Sequence, residues 1–511
     1  MNSADTSRPL DLDAGLAGTS GEPHYAIVDI GSNSVRMVVY DQLGRAPLPR
    51  YIEKSLCRLG EGLAQTGMIA PEGFRRTLEA LRRFRAIAQA MGVSRIDVTA
   101  TEAVRRAGNG RDLAAAITAE TGLEVRILTG AEEGHYSALG VISGFFRPVG
   151  LMGDMGGGSL EVAEALDDRP GERSISLPLG ALPVEALMQK SLSEAKRRID
   201  EIMQEQLPAT LSRPTFYAVG GGWRAIAKVH MASVKAPVSV VHGYAADAKS
   251  VREFCKMLEK LSPAKLGELP GLPERRARTL PASALALDRL LKRLAPERIV
   301  FSALGLREGW LFAQLPQAQR YLDPLVEGAR LIGTPLARVP RFPSALARWT
   351  AQLFPTEVPA EARLRIAACA LSDMAWGDHP DFRAEDCFRR LLQFPFIGLD
   401  HAERVFIALT LHARYAGKTD APWLSPAISL LSTGMKTRAF ILGRAMLLAH
   451  RLSGSVPELL EKSRLVHESD ILRLEVAKAA RVPDSEVVAG RLKLLAVALG
   501  AKRWDIVEAS I

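Results

Sequence analysis

Cysteine is scarce in this chain: four residues in 511, Cys57, Cys255, Cys369 and Cys387, with no C-x-x-C pair among them. Such wide spacing builds neither a zinc site nor a disulfide framework, and it fits a reducing cytoplasm. Long apolar runs are also missing. The stretch 138–146 is among the longest, far short of the roughly 20 residues of a membrane span, so no membrane partner is expected. The chain does not open with a basic segment followed by an apolar one, so no secretory signal is visible. There is no Arg/Lys-rich tail and no zinc-finger or RNA-binding signature, and nucleic acid is not an expected partner. Neither G-x-x-x-x-G-K-[ST] nor G-x-S-x-G occurs, which disfavours a P-loop ATPase and a serine hydrolase.

What is present is the balance of a globular protein, 47% hydrophobic and 24% charged, over a length that implies two to four domains. The net charge of +9 could draw a phosphate polymer or another polyanion, or be no more than a mildly basic surface. Residues 1–23, rich in Ser, Gly, Asp and Ala without periodicity, read as a disordered leader. From residue 24 to about 312, strand-like runs alternate with helical ones. Residues 25–30 and 35–40 are separated only by 31–34, too short for a parallel crossover, and form an antiparallel hairpin. A helix is expected over 71–91, and strands over 96–100 and 125–128. At residue 151 the pattern restarts with a second hairpin, 151–155 and 160–165. A helix at 191–211, strands at 216–219 and 299–302 and a helix from 305 follow. Two such units predict two related α/β lobes, 24–148 and 149–315, with a ligand cleft between them. After a Pro- and Arg-rich connector at 335–343 the pattern is helical, so 316–511 reads as an α-helical domain with a β-containing end around 463–476.

The strongest internal signal is a repeat. Asp29-Ile30-Gly31-Ser32-Asn33-Ser34 and Asp154-Met155-Gly156-Gly157-Gly158-Ser159 align as Asp-x-Gly-x-x-Ser, each after an apolar strand. A carboxylate at a strand end can hold Mg²⁺. Small residues after it let backbone N–H groups approach an anion, and Ser34 and Ser159 add hydroxyl donors. One copy alone is an ordinary Gly-rich hairpin turn; two at the start of similar lobes are a phosphate clasp. Glu132 and Glu133 follow Gly130 at a helix start, where the helix dipole favours acids in any case. Gly220, Gly221 and Gly222 end a strand in a loose dinucleotide fingerprint, but 239–244 lacks its acidic ribose partner.

Paired clasps of this kind resemble the superfamily of actin, sugar kinases and chaperone ATPases. Within it, the chain is similar to the exopolyphosphatase and guanosine pentaphosphate phosphatase family. The matching segments are AIVDIGSNSVR (26–36), TATEAVRRAGN (99–109), LTGAEE (128–133), GDMGGGSLE (153–161), AVGGGW (218–223) and SALGLREG (302–309). The resemblance implies a two-lobed actin-like (ribonuclease H-like) α/β fold with an appended, mainly helical domain. It assigns Glu133 as the carboxylate that deprotonates the attacking water, with Glu132 a capping neighbour. It makes Arg105 a phosphate clamp and Asp154 and Glu161 metal-associated acids, with Asp29 facing them. Gly31, Ser32, Asn33, Ser34, Gly156, Gly157, Gly158, Ser159 and Gly220–Gly222 would cradle phosphates. Arg36 could face the cleft or solvent. At 276–283, Arg278 and Ser283 replace the acid and glycine expected from relatives.

Longer members of this family carry a helical C-terminal domain that in some cases resembles a metal-dependent His-Asp phosphohydrolase. Here Asp378-His379 and Asp400-His401 run in the reverse order and read as caps or turns. Arg383, Arg389 and Arg390 either extend a polyanion path or sit on a solvated helix face. The expectation is therefore a Mg²⁺-dependent phosphoanhydride hydrolase, cytoplasmic and homodimeric, that acts on inorganic polyphosphate or guanosine pentaphosphate. A phosphotransferase of the same superfamily and a non-catalytic guanosine tetraphosphate or polyphosphate sensor are the alternatives.

Overall fold

The computed structural model describes residues 24–417, 420–478 and 485–509; the expected leader at 1–23 lies outside them. The chain divides into two compact units. One runs to Pro324 and takes back the short segment Pro395–His401; the other comprises Leu325–Phe394 and the chain from Ala402 onward. The division falls later than residue 316. Arg45 donates from Nε to the Leu322 carbonyl (3.0 Å), and Arg320 donates to Leu315 O (2.9 Å), which fastens the intervening turn to the first unit.

The first unit contains two sheets. In the first, β1 (His24–Ile30) pairs antiparallel with β2 (Val35–Tyr40), β2 likewise with β3 (Pro49–Ser55), and β4 (Val93–Ala100) and β5 (Val125–Ile127) add on parallel, giving the order β3-β2-β1-β4-β5. In the second, β6 (Val149–Met155), β7 (Leu160–Leu166) and β8 (Arg169–Leu177) form the antiparallel half. Parallel β9 (Thr215–Val219) and β11 (Arg298–Phe301) continue it, with β10 (Tyr244–Asp247) antiparallel at the edge. The run β8-β7-β6-β9-β11 reproduces the connectivity of the first sheet. This is the duplicated ribonuclease H-like topology of actin-like folds, and the two predicted hairpins begin its two copies.

Strand alternation puts opposite faces of each sheet into different cores. Ala26, Val28 and Ile30 pack outward against the helices Pro71–Ala90 and Gly110–Thr121. Leu151, Leu160 and Val162 pack against Leu192–Gln206 and Leu280–Leu294. Helix Leu192–Gln206 is shorter than the expected 191–211 because Ser191 caps its start and Pro208 cannot continue it. The inward faces share two helices, Gly130–Gly144 and Leu306–Ala313. Trp310 and Leu311 meet Tyr25, Ile27, Val38 and Tyr40 of the first sheet. Phe312 meets Met152, Ala163 and Ala165 of the second. The sequence places Gly130–Gly144 in the first lobe, yet it packs on the second: a β-carbon on Gly134 would stand 1.8 Å from Ser174 Oγ. The two helices touch backbone to backbone, since a β-carbon on Gly309 would lie 1.7 Å from Tyr136 O and one on Gly140 2.2 Å from Gly305 O.

The second unit is mainly helical, with long helices at Phe342–Ala351, Pro359–Ala370, Arg383–Gln393, His401–Arg414, Thr433–Ser453 and Glu486–Leu499. Its β end is larger than expected. β12 (Ser463–Glu468) and β13 (Ile471–Ala477), within the expected β-containing end, pair as an antiparallel hairpin, and β14 (Arg503–Ala509) adds parallel to β13 after the last helix. Ion pairs to buried groups hold the core together: buried Arg365 bridges Glu357 at 2.7 Å, and Arg338, itself partly exposed, bridges the buried Asp373 at 2.7 Å. Among the described residues no helix is long and apolar enough to cross a membrane.

Candidate active site

The two Asp-x-Gly-x-x-Ser turns adopt the same backbone. In each, the first glycine N–H donates to the serine carbonyl: Gly31 to Ser34 (3.1 Å) and Gly156 to Ser159 (2.9 Å). The turns also meet, because a β-carbon on Gly157 would lie 2.9 Å from Ser32 Cβ. The carbonyl side of each turn is anchored from behind, by Gly60 N to Ser32 O (2.7 Å) and by Leu182 N to Gly157 O (2.8 Å). Among the described residues the N–H groups of Ser32, Asn33, Gly157 and Gly158 have no backbone acceptor. They are the donors an anion would use. Gly220 begins the third loop at φ +108°, with its Cα against Met155 O, which brings this loop beside the second turn. Gly221 and Gly222 are packed against Arg276 and Ser283 of their own lobe, so close protein packing accounts for those two glycines.

The register shows how the acids are presented. Asp29 stands opposite Arg36 on β1 and β2, and Asp154 opposite Glu161 on β6 and β7. Directly opposed residues share a face, so the two hairpins carry Asp/Arg and Asp/Glu at equivalent positions on their inward faces. The orientation left open for Arg36 is thereby settled toward the site. Its guanidinium is largely enclosed, with Nε lacking a partner, and burial followed by the like charge of Arg307 pulls its pKa down.

Glu133 comes from the first turn of the helix Gly130–Gly144, started by a capping box: Thr129 Oγ1 accepts from Glu132 N (3.2 Å) and Glu132 Oε2 accepts from Thr129 N (2.9 Å). With Glu132 spent on the cap, Glu133 turns inward and is 6% exposed. Arg105, on the short helix Glu102–Arg106 after β4, forms an ion pair with it. Burial pushes Glu133 up to about 7; Arg105 opposes the shift, and the charges of Asp29 and Asp154 add to it. Glu161 is also held well above the carboxylate range, by burial and then by Glu133, while Ser176 donates to it at 2.9 Å. Asp29 and Asp154 each keep a small solvent-facing edge but are otherwise enclosed, and burial is the main reason both are raised. Ser137 donates to Asp154 Oδ2 at 2.6 Å.

Sequence reasoning missed the cations beneath these acids. The charges of Arg224 and Arg307 both act on Asp154, and that of Arg307 also on Asp29. Burial, then the like charge of Arg307, brings Arg224 down to about 10. Arg307 is raised by Glu308 and Asp29 against the effect of burial. Glu308 accepts from Tyr40 Oη (3.1 Å) and from Gly305 N (2.9 Å), which ties the helix Leu306–Ala313 to β2. Arg224 and Arg307 lie in or beside quoted motifs, but only the fold brings their charges within range of these acids. Among the described residues no three His, Cys, Asp or Glu side chains converge as a metal cage. Asp154 acts on both Asp29 and Glu161 through charge at longer range. Arg278 and Ser283 are accounted for locally: Arg278 pairs with Glu185 (2.8 Å) and Ser283 Oγ bonds Thr279 O (2.9 Å).

In the second unit, His379 is exposed in a turn where Asp381 N meets its Nδ1 (3.3 Å), and His401 Nε2 contacts the Val240 carbonyl (2.8 Å) within the first unit. Arg389 pairs with Glu385 along an exposed helix face (2.6 Å).

A duplicated ribonuclease H-like fold, with glycine turns meeting between the copies and a buried glutamate paired to a half-buried arginine, defines a protein of the actin-like class. Comparison with known sequences is more specific. The Ppx/GppA phosphatase family profile matches residues 47–318, and that of the exopolyphosphatase C-terminal region matches 325–507. The chain belongs to the Ppx/GppA phosphatase family. It is 28% identical over 320 residues to exopolyphosphatase 1 of Mycobacterium tuberculosis, covering 60% of this chain and 90% of that protein. Among solved structures, the Aquifex aeolicus Ppx/GppA family member is 25% identical with a TM-score of 0.50, covering 57% of this chain and 96% of its own. An exopolyphosphatase from Cytophaga hutchinsonii shares the fold at 22% identity and a TM-score of 0.51, covering 57% and 97%.

Proposed function

We propose that this protein is an exopolyphosphatase that releases orthophosphate from the end of inorganic polyphosphate, and that it also accepts the terminal phosphoanhydride of guanosine pentaphosphate. The observation that carries the reading is Glu133: an inward carboxylate raised to about 7, paired to Arg105 and within electrostatic reach of the carboxylates that begin both glycine turns. In the proposed reaction Glu133 takes a proton from water as its oxygen bonds to the terminal phosphorus. The bond from that phosphorus to the bridging oxygen breaks, and the shortened chain leaves with the electron pair. A base poised near neutral pH matches this task, and phosphoryl transfer otherwise needs mainly positioning and charge stabilisation. Free N–H groups of both turns bind phosphate oxygens, and Arg105 offsets charge as the bond breaks.

The donor set fits Mg²⁺. Asp29 and Asp154 are enclosed carboxylates held up by burial, and Mg²⁺ commonly takes one or two carboxylates, with substrate phosphates and water completing its shell. When bound, such an ion would neutralise phosphate charge; Asp29 and Asp154 would hold it, with Glu161 behind them. The test is Mg²⁺-dependent orthophosphate release from long polyphosphate and from guanosine pentaphosphate, by wild type and by Glu133→Gln. Release from neither substrate, or full activity in the variant, defeats the proposal. Nucleotide-dependent phosphate transfer without release would instead identify a phosphotransferase.

A further inference from the structure

One carboxylate in the site has no part in the mechanism above. Glu102 is 7% exposed and lies between the two glycine turns. Its Oε2 accepts from Ser32 Oγ of the first turn at 3.3 Å. The same oxygen rests against Cα of Gly158 in the second turn, where a β-carbon would stand only 1.9 Å from it. Its other oxygen pairs with Arg106 Nη1 at 2.7 Å, one helical turn along, and that arginine is half exposed. A negative group therefore touches both halves of an anion-binding clasp, flanked by the N–H groups of Ser32, Asn33, Gly157 and Gly158. An acid in this position opposes the ligand the turns are shaped to hold. Arg105 sits on the same short helix and faces Glu133, so this one helix brings a cation to the acid–base centre and an anion to the clasp.

We propose that Glu102 sets the strength of the phosphate clasp: its charge weakens the grip of the two turns on a bound phosphate group, so that released orthophosphate does not remain in the site. The idea rests on the phosphatase reading for its biological sense, but not for its measurement. A phosphate on the turn N–H groups would stand within several ångströms of the Glu102 carboxylate, where like charges repel appreciably even at the effective dielectric of a protein surface. Arg106 offsets part of that repulsion. The glycine at 158 is needed because any larger residue would displace the carboxylate.

The test is orthophosphate affinity of the full-length protein, measured by calorimetry, which needs no turnover. Glu102→Gln is expected to bind orthophosphate about tenfold more tightly than wild type, the size of effect one nearby unit charge produces at a partly solvated site. Its KM for polyphosphate should fall, and kcat should fall with it as product release slows. Equal or weaker binding, or no binding by either protein, overturns the proposal. Should Glu102→Gln not fold, Arg106→Gln and Arg106→Gln with Glu102→Ser decide the matter. The single variant should bind orthophosphate more weakly because Glu102 is left uncompensated, and the double variant should recover at least wild-type affinity. A double variant as weak as the single one overturns it. Failure of wild type to hydrolyse polyphosphate would sink the proposed activity and leave this comparison of affinities intact.

Discussion

At the scale of the residue, Glu133 and Arg105 work as a pair. Replacing Glu133 by Gln keeps the shape and removes the proposed base, so kcat should fall by about 10²–10⁴ with the thermal melt preserved. The pH profile provides a second check. Only the deprotonated form accepts a proton from water, so kcat/KM should rise with pH through the Glu133 pKa and level off above it. Burial places that acid limb around 7, well above the value of about 4.3 for an exposed glutamate. Arg105 favours the charged form, so Arg105→Gln should move the limb to higher pH as well as lower the rate. A limb in the ordinary carboxylate range would remove Glu133 from the role of base.

At the scale of the element, two helices packed backbone to backbone hold the sheets in place. Gly309→Ala would drive a methyl group into Tyr136 O, 1.7 Å from the new carbon. Overpacking of this kind costs roughly 1–3 kcal/mol, so the variant should melt earlier than wild type and lose activity even though no site residue changes. Elements also show what can be read from a sequence. Both hairpins were legible because apolar strands flank a short glycine turn. Glu133 and Arg105 were legible because each lies in a contiguous motif. β3 and β8 were not: both are sheet edges, with mixed exposure and no apolar alternation. β14 escaped because its residues are mostly half-exposed. The inward turn of Arg36, the charges of Arg224 and Arg307 acting on Asp154, and Glu102 bridging two turns depend on the approach of distant segments. No local pattern encodes those.

At the scale of the whole molecule, the helical unit carries its own response to pH. His450 is buried with Ser455 Oγ (2.8 Å) and Arg338 Nη2 (2.9 Å) at its Nδ1 and Asp373 3.8 Å away. Burial, followed by the charges of Arg414 and Arg338, holds its pKa well below the usual range. The native protein therefore keeps the ring neutral, while the unfolded chain takes up a proton below about 6.5. The stability contributed is complete above that pH and is lost progressively as pH falls below it. Because the raised acids of the first unit gain stability over the same range, the contribution is read as a difference: in urea melts from pH 7.5 to 5.5, wild type should lose more stability on acidification than His450→Gln. The segment Pro395–His401, which the helical half returns to the first unit, donates from Gly398 N to Gly144 O (2.7 Å). A chain cut short at residue 324 loses that bond and should melt below the full protein.

The two hairpins share a register but differ in charge: Arg36 faces Asp29 where Glu161 faces Asp154. An inorganic phosphate chain reads the same from either end. A site built as two identical halves would hold it equally well in both directions, with the base on the wrong side half the time. On the polyphosphatase reading proposed above, one basic and one acidic side chain at equivalent positions give the two halves unlike charge, a departure from symmetry in a duplicated fold that would favour one direction of reading.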